Sequence, residues 1–523
     1  MIMPSKLFPV EILLNILINE HLQEYFCLTF VTETKLTVNI PINMSLMIIQ
    51  PNNSVLAEQI LDASEKGCSD YIIQMHEPEN FMIAFEKVNH LGDIRRSVKK
   101  LIFLPVQDDM NNRSVLTNIL ALRETGFVAN ILLVVPSLQS SGDCKVYDMI
   151  THTFVGSDED VQKPLYLDRW DSCTGHFERG VNLFPHNMSN LYGKTVKVAA
   201  FTYKPYVLLD LDPSLNSLGR DGMEMRIIDE FCRWVNCTVE IVRDDEHEWG
   251  EIYENNTGVG VLGNVVEDRA DIGITALYSW YDEFRVLDFS APIIRTAITC
   301  VAPAPRILTS WDLPLVPFTW TMWMCLVFTF FYASFALSIA QRSTDNVFLD
   351  TFGMMITQPL IKSLLSQFKT YPADILRQKS FSRSMAFSIE HLPAGYFAIG
   401  EYITKEAAMD LEIMLDKIYY EQCVVMLRKS SPYTAKLSEL VGRLHQSGLM
   451  LSWETQVALK YLDFKVQLEV RLSRARKDLE EIEPLSIKQL LGIYIFYFGG
   501  VVIALLVFFG ELLSKCSKPS IVL

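Results

Sequence analysis

The sequence contains no C-x-x-C pair, no H-E-x-x-H and no G-x-S-x-G, which removes the usual signatures of zinc sites, metalloproteases and serine hydrolases. "GKT" at Gly193 lacks the glycine five positions upstream that a phosphate loop needs, because Met188 stands there. The nine histidines are scattered and read as surface or packing residues. No enzyme activity, metal or cofactor is therefore expected. Basic residues are also short: 46 Lys and Arg face 62 Asp and Glu, for a net charge of −16. Nucleic acid is an unsuitable partner for such a chain, since binding it requires clustered Lys and Arg. "RRSVKK" (Arg95 to Lys100) is the one dense basic run in the first half, and it reads as a solvated face. Internal repeats and low-complexity segments are absent.

Long stretches also lack charge. Leu313 to Gln341 holds no charged residue and exceeds the roughly 20 residues that cross a bilayer core. A second uncharged run, Gln489 to Gly510, carries the adjacent pair Gly499 and Gly500, small enough for close helix contact. Both are expected to be transmembrane helices, within 313–341 and 488–511. Six N-x-S/T sequons, at Asn43, Asn52, Asn112, Asn187, Asn236 and Asn255, precede the first span and none follows it. That asymmetry predicts an extracellular, glycosylated first half. The ten cysteines make disulfides within that half plausible without fixing their pairing. Residues 1–18 read as a poor or truncated signal-like segment, because Glu11 and Asn15 interrupt the apolar run.

With 523 residues, two or three folded units are expected. Residues 19–190 alternate apolar runs ("YFCLTFV", "KLIFLPV", "VANILLVVP") with mixed segments, which predicts an extracellular α/β domain. From Thr195 the alternation sharpens: "TVKVAAF", "TVEIV" and "DIGITAL" read as strands around the helix "GMEMRIIDEFCRWVN". Largely parallel sheets bind ligands at the carboxyl ends of their strands. Tyr206 and the Trp280-to-Glu283 loop would then face one cleft. "CVVMLRKSSPY" reads as a strand and turn, followed by an amphipathic helix broken at Gly448.

"KTVKVAAFTYKPYVLL" and "ADIGITALYSWYDEFRVLDFSAPI" resemble the first ligand-binding half of ionotropic glutamate receptors. "CVVMLRKSSPYTAKLSELVGRLHQSGLMLSWE" and the final span resemble the second. The short N-terminal domain and divergent ligand segments are most similar to the arthropod ionotropic receptors, a family of chemosensory channels. The resemblance implies α/β lobes plus transmembrane helices: a bilobed, periplasmic-binding-protein-like ligand domain split around a membrane pore module. It places the first ligand-lobe segment at 191–310, a pore-loop-like segment at 345–361, the second lobe segment at 362–487 and a tail at 512–523. By the same resemblance Tyr206 covers the ligand, and Ala276, Tyr278 and Glu283 stand where the family holds an amino acid with Pro, Thr and Arg. Glu401 of "YFAIGEYITKEA" falls on the family's acidic partner of the ligand amine. An acid in place of the arginine repels a carboxylate. Asp282, Glu283 and Glu401 with Tyr206, Tyr278 and Trp280 would suit a small amine through charge pairing and cation–π contact; otherwise Asp282 and Glu283 simply cap a helix or face solvent.

Between the two halves the expected pore-lining span is missing, since "KSLLSQFKTYPADILRQKSFSRS" is charged every few residues. Two crossings would put 362–487 in the cytoplasm, away from the lobe it should close upon, with Arg342, Lys362, Lys369, Arg377, Lys379 and Arg383 as cytoplasmic flank. The expectation is a subunit of a chemosensory ligand-gated cation channel, in an incomplete sequence lacking one span. It would sit in the plasma membrane of sensory dendrites, contacting lipid and co-receptor subunits in a heterotetramer. The alternative is a non-conducting or dominant-negative binding partner.

Overall fold

The computed structural model describes residues 8–22, 27–34, 44–95, 98–138, 144–157, 163–214, 216–304, 319–322, 324–325, 328–329, 371–474 and 487–516. Asn43, the pore-loop-like segment 345–361 and most of the expected span 313–341 lie outside them. The chain forms two compact units, one of Met1–Thr299, Ile389–Gly400 and Asp416–Phe464, the other of Cys300–Ser388, Glu401–Leu415 and Lys465–Leu523.

In the first unit, residues before 190 build an eight-stranded sheet in the order Ser45–Ile49, Cys27–Thr32, Asp70–Gln74, Lys100–Phe103, Asn130–Pro136, Val146–His152, Pro164–Asp171 and His176–Phe177. The first five strands are parallel and the last three join antiparallel. Strands such as Asn130–Pro136 are buried along their whole length, as expected where helices cover both faces of a parallel sheet. Side chains alternate across the pleat: Tyr71 and Ile73 enter one core beside Phe81, Phe85 and Phe103, while Ile72 enters the other. That second core is built on the helix Pro9–His21, whose Leu13, Leu14, Leu17 and Ile18 are fully buried. The segment expected to be signal-like is therefore part of the domain. Glu11, which made it a poor leader, accepts the Phe8 N–H at 2.8 Å and closes the helix start.

Three disulfides join Cys27 to Cys68, Cys144 to Cys173 and Cys232 to Cys237. All six cysteines lie in the half that carries the sequons, consistent with an oxidising compartment.

The expected ligand-lobe segment and Met426–Arg428 build a five-stranded sheet ordered Thr238–Arg243, Thr195–Ala200, Ile272–Gly273, Met426–Arg428 and Leu287–Phe289. Its first three strands are parallel, but Met426–Arg428 runs antiparallel to both neighbours. A sheet cannot be shared across a bilayer, because each ladder bond joins adjacent backbones. Residues 195–299 and 416–464 therefore lie on one side of any bilayer, against the cytoplasmic placement that two crossings would give the segment around Met426–Arg428. The C-terminal helical run is broken at Gly448 into Thr434–Ser447 and Leu449–Tyr461, with Gly448 left-handed at φ 73°.

Helix Met223–Val235 starts from Gly222 at φ 126°, where a Cβ would sit 2.3 Å from the Tyr206 carbonyl oxygen. Gly222→Ala is expected to cost about 2 kcal/mol or more, read as a lower midpoint in chemical denaturation of the lobe.

In the second unit, Val301–Pro303 pairs antiparallel with Leu411–Ile413, and Arg383 pairs with Asp410. Its helix Ile487–Cys516 contains the window Ile493–Gly510, long and apolar enough to cross a membrane. No other described helix meets that test.

Candidate functional site

After the strand Thr195–Ala200 the chain turns back on itself, with the Tyr203 N–H donating to Val207 at 2.9 Å and the Lys204–Pro205 bond cis. The turn stacks Tyr203 on Tyr206, 5.6 Å apart and nearly parallel. Trp249 meets the edge of Tyr203 at 5.1 Å and donates its indole N–H to the Thr275 carbonyl at 2.8 Å. The hydroxyls of this aromatic wall converge on one carboxylate. Glu390 accepts from Tyr206 at 2.6 Å, Tyr278 at 2.5 Å and Tyr203 at 3.2 Å. Burial pushes the Glu390 carboxyl upward, opposed by the three hydroxyl donors. Burial and the neighbouring carboxylate likewise raise the Tyr206 and Tyr278 phenols. The Cys423 thiol lies 3.8 Å from the Tyr206 hydroxyl.

A second carboxylate stands behind this wall. Glu224 is fully buried, and its Oε2 accepts the N–H groups of Thr275 at 2.6 Å and Ala276 at 3.0 Å. Those residues have φ of 106° and 51°, strained for side chains bearing a Cβ. The carboxyl acceptor holds the turn that aims Tyr278 at Glu390. Burial raises the Glu224 carboxyl to about 7, with Glu390 adding to the rise.

The expected ligand residues fall in different settings. Tyr206 and Tyr278 are brought together, and Trp280 packs against Tyr278 at 5.6 Å. Tyr206, expected to cover a ligand, is 0% exposed and belongs to the core. Ala276 is buried and its N–H is already taken by Glu224, so that donor is unavailable to a ligand. Asp282 and Glu283 lie in the first turn of the short helix Tyr281–Val286, the placement favoured by the helix dipole. Asp282 is exposed, whereas Glu283 is half-buried with a buried Oε2 that has no hydrogen-bond partner. Glu401 is exposed and belongs to the second compact unit. The acid that meets the tyrosines is Glu390.

Glu390, Glu224, Tyr203 and Cys423 escaped the sequence reading. Glu224 did leave a signal: it shares helical spacing with Ile227, Ile228 and Phe231, all buried, and an acid on an apolar face is informative. Glu390 in "FSIEHL" left a weaker one, an acid beside the buried Ile389.

Residues 194–306 match the family described as "Ligated ion channel L-glutamate- and glycine-binding site". The chain is 26% identical to the human "Glutamate receptor ionotropic, delta-2" over 27% of its own length and 14% of that protein. It is 24% identical to a Lymnaea stagnalis "Glutamate receptor" over 31% and 18%, and 22% identical to "Ionotropic receptor 21a" of Anopheles gambiae over 58% and 31%. The matches thus span less than a third of each of these relatives' length. Among solved structures, "Drosophila muscle GluRIIB complex with glutamate" aligns at 15% identity and TM-score 0.33, covering 50% of this chain and 98% of that one. Residues 194–306 are therefore similar to the ligand-binding segment of ionotropic glutamate receptors.

Proposed function

We propose that the chain is a subunit of a chemosensory ligand-gated cation channel of the ionotropic receptor kind, and that its ligand is a small amine. The observation that carries the amine reading is the Glu390 carboxylate ringed by the hydroxyls of Tyr203, Tyr206 and Tyr278. An ammonium group reaching Glu390 would replace neutral hydroxyl donors by a charge-assisted bond and gain cation–π attraction from the same rings. Glu390 takes the role first expected of Glu401. The likeness to "Ionotropic receptor 21a" over 58% of the chain supports the ionotropic receptor kind. The subunit would work in the plasma membrane of sensory dendrites, beside co-receptor subunits in a heterotetramer, and not as an enzyme.

The amine reading is tested by thermal-shift titration of the purified full chain with a panel of small amines and matched carboxylic acids. Stabilisation by amines alone supports it, and stabilisation by the acids alone overturns it. Glu283→Arg is expected to abolish the amine response, and an unchanged response would remove Glu283 from the site. The second reading, a non-conducting partner, predicts binding without current; patch-clamp recording after reconstitution with a co-receptor separates the two.

Asn52, Asn187, Asn236 and Asn255 are exposed and are the proposed glycosylation sites. The Asn112 side-chain amide donates to Asp109 at 2.9 Å, so glycosylation there would replace that contact. Peptide N-glycosidase treatment of the secretory-pathway product should lower its mass, and loss of the shift in an Asn-to-Gln variant at all four positions would tie it to them.

A further inference from the structure

The described basic residues of the run Arg95 to Lys100 do not form a solvated face. Lys99 and Lys100 are 7% and 8% exposed, and the Arg95 side chain is 12% exposed. Lys99 donates to Asn89 at 2.5 Å and Lys100 to the His21 carbonyl at 2.8 Å, both within the N-terminal domain. Arg95 instead reaches the ligand lobe. Its Nη2 donates to the Phe284 carbonyl, its guanidinium lies 3.7 Å over the Phe284 ring, and its Nε is 3.0 Å from Asp288 Oδ1. Lys429, 2% exposed, completes the junction from the lobe side, donating to the Arg285 carbonyl at 2.6 Å and the His90 carbonyl at 3.0 Å.

These carbonyls share a location. Phe284 and Arg285 end the helix Tyr281–Val286, and His90 lies in the last turn of Pro78–Leu91. Helix C-termini leave carbonyls without intrahelical donors and carry partial negative charge. A six-residue helix is too short to be stable alone, so its orientation depends on what holds its ends. Here one buried ammonium joins the C-termini of two helices from two domains, and one guanidinium clamps the shorter of them. Beside them, Arg428 pairs with both Glu86 of the N-terminal domain and Asp268 of the lobe.

We infer that the N-terminal domain is a positioning element for the ligand site: through Arg95, and through the His90 carbonyl that holds Lys429, it sets the helix whose first turn carries Asp282 and Glu283. The functional meaning of that helix rests on the proposed ligand site, but its mechanical dependence on the N-terminal domain does not.

Amide hydrogen exchange on the ligand-free full chain in detergent tests the dependence separately from any ligand. In Arg95→Ala, which removes the N-terminal domain's own contact, and also in Lys429→Met, exchange at residues 284–288 should rise about tenfold or more, the Arg95→Ala rise being decisive. Helix Met223–Val235 should stay at its wild-type rate. Lys429→Arg, which retains a charged donor, should restore most of the protection. Unchanged exchange at 284–288, or a uniform rise across the lobe, would overturn the inference, as would failure of Lys429→Arg to restore protection in a folded protein.

Discussion

Glu390→Gln is expected to leave the lobe folded while weakening amine binding by about 100-fold, or roughly 2.7 kcal/mol. Glutamine keeps an oxygen that can accept from Tyr206 at its present 2.6 Å, and the tyrosine hydroxyls can turn to accept from its amide. Only the charge is lost. Glu390→Ala removes the acceptor as well, leaving the hydroxyls of Tyr203, Tyr206 and Tyr278 without the partner they share. Each buried polar group so stranded costs about 1–3 kcal/mol, so this variant should be markedly destabilised in addition to losing affinity. Isothermal titration with the strongest amine of the panel reads the first effect, and denaturant unfolding reads the second. Full retention of amine affinity in Glu390→Gln would end the charge-pairing account.

Glu224 should make the stability of the lobe fall as pH rises. Burial, the dominant cause, lifts its carboxyl from an ordinary 4.5 to about 7. The folded state therefore binds a proton that the unfolded state has released between those values. Stability from this group is complete below about pH 4.5 and is lost as pH climbs through about 7. Glu454 adds the same slope, its carboxyl also raised to about 7 by burial. Glu224→Gln removes one titration while keeping an acceptor for the Thr275 and Ala276 N–H groups. At pH 8 the variant should be more stable than wild type by up to about 3 kcal/mol, and at pH 4 the two should converge. Denaturant midpoints measured across this range decide it, and identical slopes for both proteins would refute the role assigned to Glu224.

Local structure was largely legible because it is written in side-chain periodicity. "TVKVAAF" became Thr195–Ala200, "GMEMRIIDEFCRWVN" became Met223–Val235, and the helical break at Gly448 fell where a glycine can turn left-handed. "DIGITAL" was legible only in part: the ladder covers Ile272–Gly273, and the chain then departs at Thr275 and Ala276 with positive φ. The reason is the Glu224 carboxylate, an acceptor 51 residues away along the chain.

The basic run shows a limit of a different kind. Composition correctly marks Lys and Arg as residues that resist burial, but burial becomes tolerable when helix C-termini and carboxylates await them. The His90 carbonyl meets Lys429, and the Phe284 carbonyl meets Arg95, only once two domains are docked.

The sequence by itself determined the α/β alternation, the apolar C-terminal helix, and the acidic and aromatic composition of the 278–283 loop. These depend on neighbours within a few residues, where hydropathy pattern and turn chemistry act directly. Tertiary structure alone decided that Glu390, and not Glu401, meets the tyrosines, because its partners lie 112, 184 and 187 residues away. It alone put Met426–Arg428 between Ile272–Gly273 and Leu287–Phe289, so that residues 195–299 and 416–464 share one sheet. Strand pairing sets those choices, and the bonds that fix it are made between backbones whose separation along the chain leaves no mark in the local sequence.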